Sequence, residues 1–534
     1  MLNVLLQQTR RDRVILPVWI LGTAALLAVS AASVVNEYGD VEGRTQILTI
    51  ALATPTLLAL RGIPNGDSLG SAVHFQSFAF LAVTIGLMNV FLATRHGRAD
   101  EEKGRRELVL AAPVSRLTPP LATLVLALVA NAVFVVLAVG GYLSAGLPAD
   151  GAVLSAIALG VTGLLFFGVG SIAGELAATS RAASGIGVTL VLVAYALRAA
   201  GDALGTADVA ALTLDPAWPS WLTPIGWGQQ TLAFTEDRWW PVAAIGALAL
   251  VLVAIALAIH ARRELDASLL PERAGRADAG PTLRAPLGLA WRLTRTGIAW
   301  WAIGAALLGL ALGSLVTAVA RLDFSDNPAL AQILQSIGHT DQSDVARALI
   351  PALMTIVGSV AAAAGVQAVL RAREDEAGGR AEPVLAASVS RTRWLLAFTV
   401  IGVATVAIVL LATGLAAAIG FAVSGSDEFA WLALGQCLVQ APAALVFVGI
   451  AALAVAVAPP AAIGLGWGLY GAGVVIGYFG QLLQLPEWLQ RVSPFTDVPV
   501  LPDGDGMPAL VVTLVAVAAA ALALIAFRRR DLAT

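Results

Sequence analysis

Residues Arg98–Arg116 read RADEEKGRRELVLAAPVSR and residues Arg373–Arg391 read REDEAGGRAEPVLAASVSR, agreeing at 13 of 19 positions without a gap. Agreement of that density does not arise by chance, so the 534-residue chain is an internal duplication. Fainter echoes extend it. Arg10, Arg13, Trp19 and Gly22 match Arg292, Arg295, Trp301 and Gly304, and Leu222-Thr223-Pro224-Ile225 resembles Val492-Ser493-Pro494-Phe495. Arg262-Arg263-Glu264-Leu265 likewise resembles Arg529-Arg530-Asp531-Leu532.

The medium in which each copy folds follows from composition. With 58% hydrophobic residues, 13% charged residues and a mean hydropathy of +0.83, the chain has more apolar surface than a soluble core could hide. A helix crosses a hydrocarbon layer with about 20 apolar residues. Spans are expected near 14–35, 73–94, 121–143, 153–174, 184–204 and 242–261. In the second half they fall near 297–320, 349–370, 394–423, 430–458, 461–478 and 510–527. The expectation is an all-α integral membrane protein of about twelve spans. Six spans occupy residues 1–261, a polar linker runs over 262–286, and six more occupy 287–534. An even number of spans returns each copy to its starting side, so the pseudo-repeats are parallel, related by an axis along the membrane normal.

Orientation follows from the distribution of basic residues, which resist translocation. An amino terminus in the cytoplasm puts 25 of the 32 Arg and Lys residues on that side, whereas the reverse orientation would expose them. The stretch 14–35 is too long for the core of a signal peptide and reads as a retained first span. Arg outnumbers Lys by 31 to 1, which together with the Ala, Val and Leu excess suggests a GC-rich bacterial genome and hence a bacterial cell membrane. Cys437, the only cysteine, lies in an apolar run and reads as packing.

Each repeated segment falls between the second and third span of its half. Its first part is charged; its second, Glu107 to Arg116, is apolar enough to lie on a membrane surface and too short to cross. An interfacial turn is the plainer reading, but a repeat that drifts elsewhere and keeps these positions points to one partner surface meeting both halves. The pattern E-x-x-G-R-x-E-x-V-L-A-A-P-V-S-R resembles the coupling segment of exporter permeases in the ABC-2 family of ATP-binding-cassette transporters, and the duplicated architecture is similar to actinobacterial tetronasin-resistance type permeases. The resemblance implies cytoplasmic coupling helices that dock on ATPase subunits. Glu101, Gly104, Glu107, Leu108, Pro113, Ser115 and Arg116 occupy the motif in the first copy, and Glu376, Gly379, Glu382, Ser390 and Arg391 in the second. Pro383 replaces Leu108 and Ser388 replaces Pro113, which implies a looser second contact. It further implies one permease chain with two copies of a cassette ATPase that bind ATP and Mg, and export of a lipophilic or amphipathic compound. No nucleic-acid partner is expected. A phosphate-binding loop needs Gly-Lys followed by Ser or Thr, whereas the sole Lys103 precedes Gly104, so hydrolysis belongs to a separate polypeptide.

The competing reading is a proton-driven antiporter of the major facilitator type, whose corresponding loop Gly97, Asp100, Gly104, Arg105 and Arg106 imitate. Asp100 stands one residue early for it, and the apolar tail to Arg116 is surplus. Two further regions invite a role. Residues 205–240 hold five of the thirteen tryptophans; they read either as an interfacial anchor belt or as an outer gate built on Pro224 and Trp227, with Pro494 in the other half. Charges at membrane depth are default functional candidates. Arg198 and Asp202, spaced i,i+4, are expected to pair, and Glu175, near Arg181, reads as a solvated or paired carboxylate or, for an antiporter, as a proton-coupling one. His74, His96, His260 and His339 show no metal-ligand spacing. Few charges lie at membrane depth, so a cavity between the halves is expected to be largely apolar.

Overall fold

Among the described residues, twelve helices are long and apolar enough to cross a membrane. The computed structural model describes all residues except 38, 265–266, 271–279, 321–341, 388, 480–484, 497, 502–503 and 531–534. His339 lies outside them. The chain divides into two compact units, Met1–Ala274 and Gly275–Thr534.

Unit one begins with α1 (Leu2–Arg11), a short helix that turns Val4 and Gln8 inward. A break follows, and the spans are α2 (Ile15–Glu37), α5 (Leu69–His96), α8 (Thr118–Ser144), α9 (Ala149–Leu176), α10 (Ser180–Ala203) and α12 (Trp240–Arg262). Between α2 and α5 the connecting segment forms two further helices, α3 (Val41–Leu52) and α4 (Pro55–Arg61). Between α5 and α8 come the short α6 (Arg98–Glu102) and α7 (Arg105–Leu110). A hairpin of β1 (Thr206–Asp208) and β2 (Thr213–Asp215) and the helix α11 (Pro224–Gln229) precede α12.

The helices α5 and α9 form the centre of this unit, with 72% of each apolar window buried against 22% for α12. Lipid does not drive apolar helices together, so close approach must come from small residues and polar contacts. Both are present. A Cβ placed on Gly170 of α9 would lie 2.9 Å from the Val90 Cα of α5. Asn89 of α5 and Asn131 of α8, both buried, exchange their side-chain amides at 3.1 and 2.8 Å. With no water to satisfy an amide at that depth, the reciprocal pair fixes the register of the two helices.

Unit two repeats the plan with α13 (Pro286–Ala320), α14 (Gln342–Ala377), α15 (Ala381–Ala386), α16 (Arg391–Val423), α17 (Ala430–Leu438), α18 (Ala441–Val457), α19 (Ala462–Phe479), α20 (Glu487–Gln490) and α21 (Met507–Arg529). Its central helices are again the second and fourth spans. The two units differ at their starts: the stretch before the first span is a separate helix in unit one but continuous with the span in unit two, where α13 begins at Pro286. The span expected over 430–458 is divided at Val439–Gln440, and Pro442 opens α18 in the first turn, where its missing N–H costs nothing. The linker is not loose at its start: the Leu269 and Leu270 amides donate to the Glu175 and Leu176 carbonyls at 3.4 and 3.0 Å. Cys437 is buried, with its Sγ 3.3 Å from the Met354 Sδ.

Candidate functional site

In each repeated segment a glycine in the left-handed region, Gly104 at φ +65° and Gly379 at φ +69°, separates one helix from a short second one: α6 from α7 in unit one, and the long α14 from α15 in unit two. An L side chain there meets the following carbonyl, at a cost of roughly 1–2 kcal/mol, so both copies require glycine at this joint. The serine near the end of each segment also has a local reason. Ser390 Oγ accepts the Arg393 amide at 3.3 Å and starts α16, and Ser115 Oγ accepts the Leu117 amide at 3.3 Å just before α8.

The remaining motif residues separate into an inward and an outward set. Glu101 is 4% exposed and binds three guanidinium groups: Arg98 at 2.9 Å, Arg263 at 2.7 Å to both oxygens, and Arg106. Arg263 extends the network through its Nε to Glu175 at 2.6 Å, and the other Glu175 oxygen meets His260 Nδ1 at 2.8 Å. Arg116 donates to the Arg263 carbonyl at 3.3 Å. Unit two repeats the core of this clasp: Glu376 pairs with Arg373 at 3.4 Å and with Arg530, and Arg391 donates to the Arg530 carbonyl. Asp100 with Arg105 and Asp375 with Arg380 match as well, at 3.4 and 2.9 Å. Glu107, Leu108 and Pro113 face outward, as do Glu382 and Pro383. Leu108 is 77% exposed, which for a large apolar side chain marks a surface rather than a core position. Ser388, the counterpart of Pro113, lies outside the described residues.

Electrostatics distinguishes the two clasps. Burial works against the charge of Arg263, yet Glu101 and Glu175 together hold its guanidinium above the usual value. Arg530 is held below it, first by burial and then by the neighbouring Arg373. A second cluster ties α1 to the end of α5. Asp12 accepts from Arg95 at 2.7 Å and meets His96 Nε2 at 2.8 Å, while Arg11 donates to Asp100 at 2.7 Å. Burial raises the Asp12 carboxyl, but His96 and Arg95 outweigh it and hold the group below the usual carboxylate range.

The sequence expected Glu175 beside Arg181; its partners are Arg263 and His260 instead, because the end of α12 and the linker fold onto the end of α9. Arg198 and Asp202 do pair, at 3.1 Å with both side chains fully buried. The surroundings explain how charge is tolerated there: Ser220 donates to Asp202 at 2.9 Å, and Arg198 donates to the Leu58 and Leu60 carbonyls at 3.5 Å. Tyr195 donates to the Leu60 carbonyl at 2.7 Å while its ring lies 4.4 Å from the Arg198 guanidinium carbon. The pair therefore bolts α10 to α4 and to the segment 205–240. In that segment Thr223 Oγ accepts the Gly226 amide at 3.0 Å and Pro224 opens α11. The Trp227 indole donates to the Trp221 carbonyl at 2.6 Å. Pro494 stands in a tight turn between Ser493, which donates to the Gly473 carbonyl at 2.7 Å, and Phe495, stacked 5.4 Å from Phe447. Trp218, Trp239 and Trp240 are largely exposed, as an interfacial belt requires.

The Arg263 and Arg530 clasps, the Asp12–His96 contact and the Asn89–Asn131 pair have no place in the sequence reading. The first was within reach, since the Arg-Arg-Glu-Leu echo after the last span of each half carries it. The others leave no trace in the repeat.

Residues 283–528 match the family described as the multidrug efflux system permease Rv1217c, C-terminal domain. Over 539 aligned residues the chain is 34% identical to the multidrug efflux system permease protein Rv1217c of Mycobacterium tuberculosis, covering 99% of this chain and 95% of that protein. A near full-length match at that identity, with the second compact unit matched by the family's own carboxy-terminal domain, leaves no large part of the fold unaccounted for. The chain is a multi-pass membrane protein and belongs to the multidrug efflux system permease family of Rv1217c.

Proposed function

We propose that the chain is the membrane subunit of an ATP-binding-cassette exporter of the ABC-2, tetronasin-resistance type, moving lipophilic or amphipathic drug-like compounds out of the cell. The observation that carries this reading is the matched geometry of the two segments. In each half the same glutamate is clasped inward, while the residues after the same left-handed glycine face outward. A solvated loop needs neither. A segment that must transmit force needs a rigid root and an exposed contact face, and a pair of them suits two identical partners. In this reading the amino terminus is cytoplasmic, two copies of one cassette ATPase bind ATP and Mg, and a single permease chain supplies both docking segments. Glu107, Leu108 and Pro113 in the first half and Glu382 in the second form the contacts; Glu101, Arg116, Glu376 and Arg391 transmit them to the sixth span of each half. Binding of ATP favours one state of the complex over the other, and that difference is what drives transport. The Arg198–Asp202 pair is structural and the tryptophan-rich segment an anchor. Glu175, engaged by Arg263 and His260, serves the clasp rather than proton coupling.

The purified chain is expected to hydrolyse no ATP alone and to support vanadate-sensitive hydrolysis when reconstituted with a partner cassette ATPase. Native mass measurement is expected to give one permease with two ATPases. Transport that proceeds without nucleotide and follows a proton gradient would replace this reading by the antiporter one, and two permease chains per ATPase pair would remove the stoichiometry.

A further inference from the structure

The helix α5 ends on a histidine set between two carboxylates that belong to different elements. His96 Nε2 lies 2.8 Å from Asp12, in the break between α1 and α2, and Nδ1 lies 3.8 Å from Asp100, in the repeated segment. The ring is buried, and Nδ1 has no hydrogen-bond partner. A neutral imidazole donates from one nitrogen, whereas the imidazolium donates from both. Serving Asp12 and Asp100 together therefore needs the cation.

The other charges around the ring come from each element packed on it. Arg11 of α1 pairs with Asp100 at 2.7 Å, and Arg95 of α5 pairs with Asp12 at 2.7 Å. From α7, Arg105 reaches Asp100 at 3.4 Å, and Arg106 is held by Glu101. Glu175 and His260 share a cleft wall with His96 but are engaged with each other, and Glu175 also with Arg263. Arginines keep their charge through the neutral range, as do carboxylates paired in this way. Two clefts meet at His96, one on the Glu175 side and one on the Asp100 side, and bring solvent close to it.

The duplication supplies a control. In the register of the repeats, Arg371 stands where unit one has His96, Asp375 where it has Asp100, and Thr294 where it has Asp12. Arg371 lies 3.5 Å from Asp375 and 2.7 Å from Glu374. Its guanidinium is a permanent cation, and Thr294 sits inside the unbroken α13. The same position thus carries a fixed charge in one half and a titratable one in the other, and the titratable one is found where a break in the chain has to be tied.

We propose that His96 is a proton-operated latch: the imidazolium ties the break between α1 and α2 to the repeated segment through Asp12 and Asp100, and the neutral ring keeps one carboxylate and releases the other. The latch stands independently of what docks on the segment. Its consequence for transport, a docking segment held more firmly in acid than in alkali, rests on the exporter reading.

Hydrogen exchange of the full chain in detergent, corrected for the intrinsic pH dependence of amide exchange, reads the latch without an ATPase or transport. Protection of the α1 and α6 amides is expected to fall about threefold or more from roughly pH 6 to pH 8.5, since an imidazolium contact is present in acid and lost as the ring deprotonates. His96→Gln, which cannot take a proton, is expected to show the low value throughout. His96→Arg, the residue of unit two, is expected to show the high value throughout. Constant protection in the unaltered chain, an equal fall in His96→Gln, or an arginine variant that matches glutamine each overturns the latch. Should a variant fail to fold, ring-labelled histidine NMR decides. One of the four imidazoles titrating with the midpoint of the loss of protection, and at lower pH in Asp100→Asn, supports the latch; the absence of such an imidazole overturns it.

Discussion

The two clasps descend from one sequence yet are held with different strength. In unit one, Glu101 receives three guanidiniums, and its link to α12 continues through Arg263 to Glu175 and His260. In unit two, alanine stands where Arg106 does, and Arg530 reaches Glu376 and the Val455 carbonyl. Burial differs in the same sense, with Arg263 and Arg106 at 4% and 3% side-chain exposure and Arg373 and Arg530 at 15%. The comparison teaches that a duplicated motif can preserve its geometry while redistributing its charge: Arg106, which clasps Glu101 in unit one, is replaced by Ala381 in unit two, where Arg373 and Arg530 meet Glu376.

The largest effect is expected on removing the carboxylate at the centre of the stronger clasp. Glu101→Ala leaves buried guanidiniums uncompensated and should cost about 3–5 kcal/mol. Glu376→Ala, in the more exposed clasp, should cost roughly 1–3 kcal/mol. Thermal unfolding of each purified variant in the same detergent checks the ranking, and equal losses would end the asymmetry. The buried Arg198–Asp202 pair is a comparison on the same scale, for Arg198→Ala strands Asp202 and should destabilise by about 3–5 kcal/mol. Because that pair ties down the segment 205–240 through Ser220, proteolysis between residues 205 and 240 should accelerate in Arg198→Ala and stay unchanged in Glu101→Ala.

Next come the joints, where the two halves should respond alike. Gly104→Val and Gly379→Val each force a β-branched residue to positive φ and should cost roughly 1–2 kcal/mol apiece, read by the same melts. A difference larger than that between them would mean that the segments differ in backbone as well as in charge.

A smaller stability effect with a large functional one is expected at the outward face. Leu108→Asp and Pro383→Asp should each change stability by about 0.5 kcal/mol or less, as surface substitutions do. Both should reduce capture of the cassette ATPase in a pull-down, Leu108→Asp more severely because the first copy retains the fuller motif. Glu107→Ala and Glu382→Ala should reduce transport without affecting insertion. Unchanged capture in all four variants would remove the docking role from this face.

The smallest expected effect concerns acid. A carboxylate held below its unfolded value near 3.9 contributes stability that is fully present above that value and is lost as pH falls through the folded one. The cluster that joins α1 to α5 should therefore loosen below about pH 4, and Asp12→Asn should flatten that limb of the stability curve. Unit two, whose interfacial stretch is one helix with its first span, has no such joint to loosen.

Much of this was legible because membranes impose strong local rules. A backbone that must satisfy its own hydrogen bonds in lipid becomes helix, and about twenty apolar residues announce it. The duplication of 98–116 in 373–391 then marked the paired segments. Contacts were harder to read. Arg263 and Glu101 are 162 positions apart, and nothing in either stretch names the other. The inward or outward sense of Glu101 and Glu107 depends on how two short turns pivot at Gly104, which hydropathy does not register.

The chain's own sequence thus determined twelve membrane-spanning helices and the duplicated segment in each half, since these depend on composition and period along the backbone. Only the tertiary structure decided which motif residues turn inward and which outward, and that the end of α12 closes the clasp in unit one. Those outcomes depend on which helices become neighbours. In lipid that choice is made by glycines, buried amides and ion pairs acting across the bundle, because burying apolar surface alone does not discriminate one helix pairing from another.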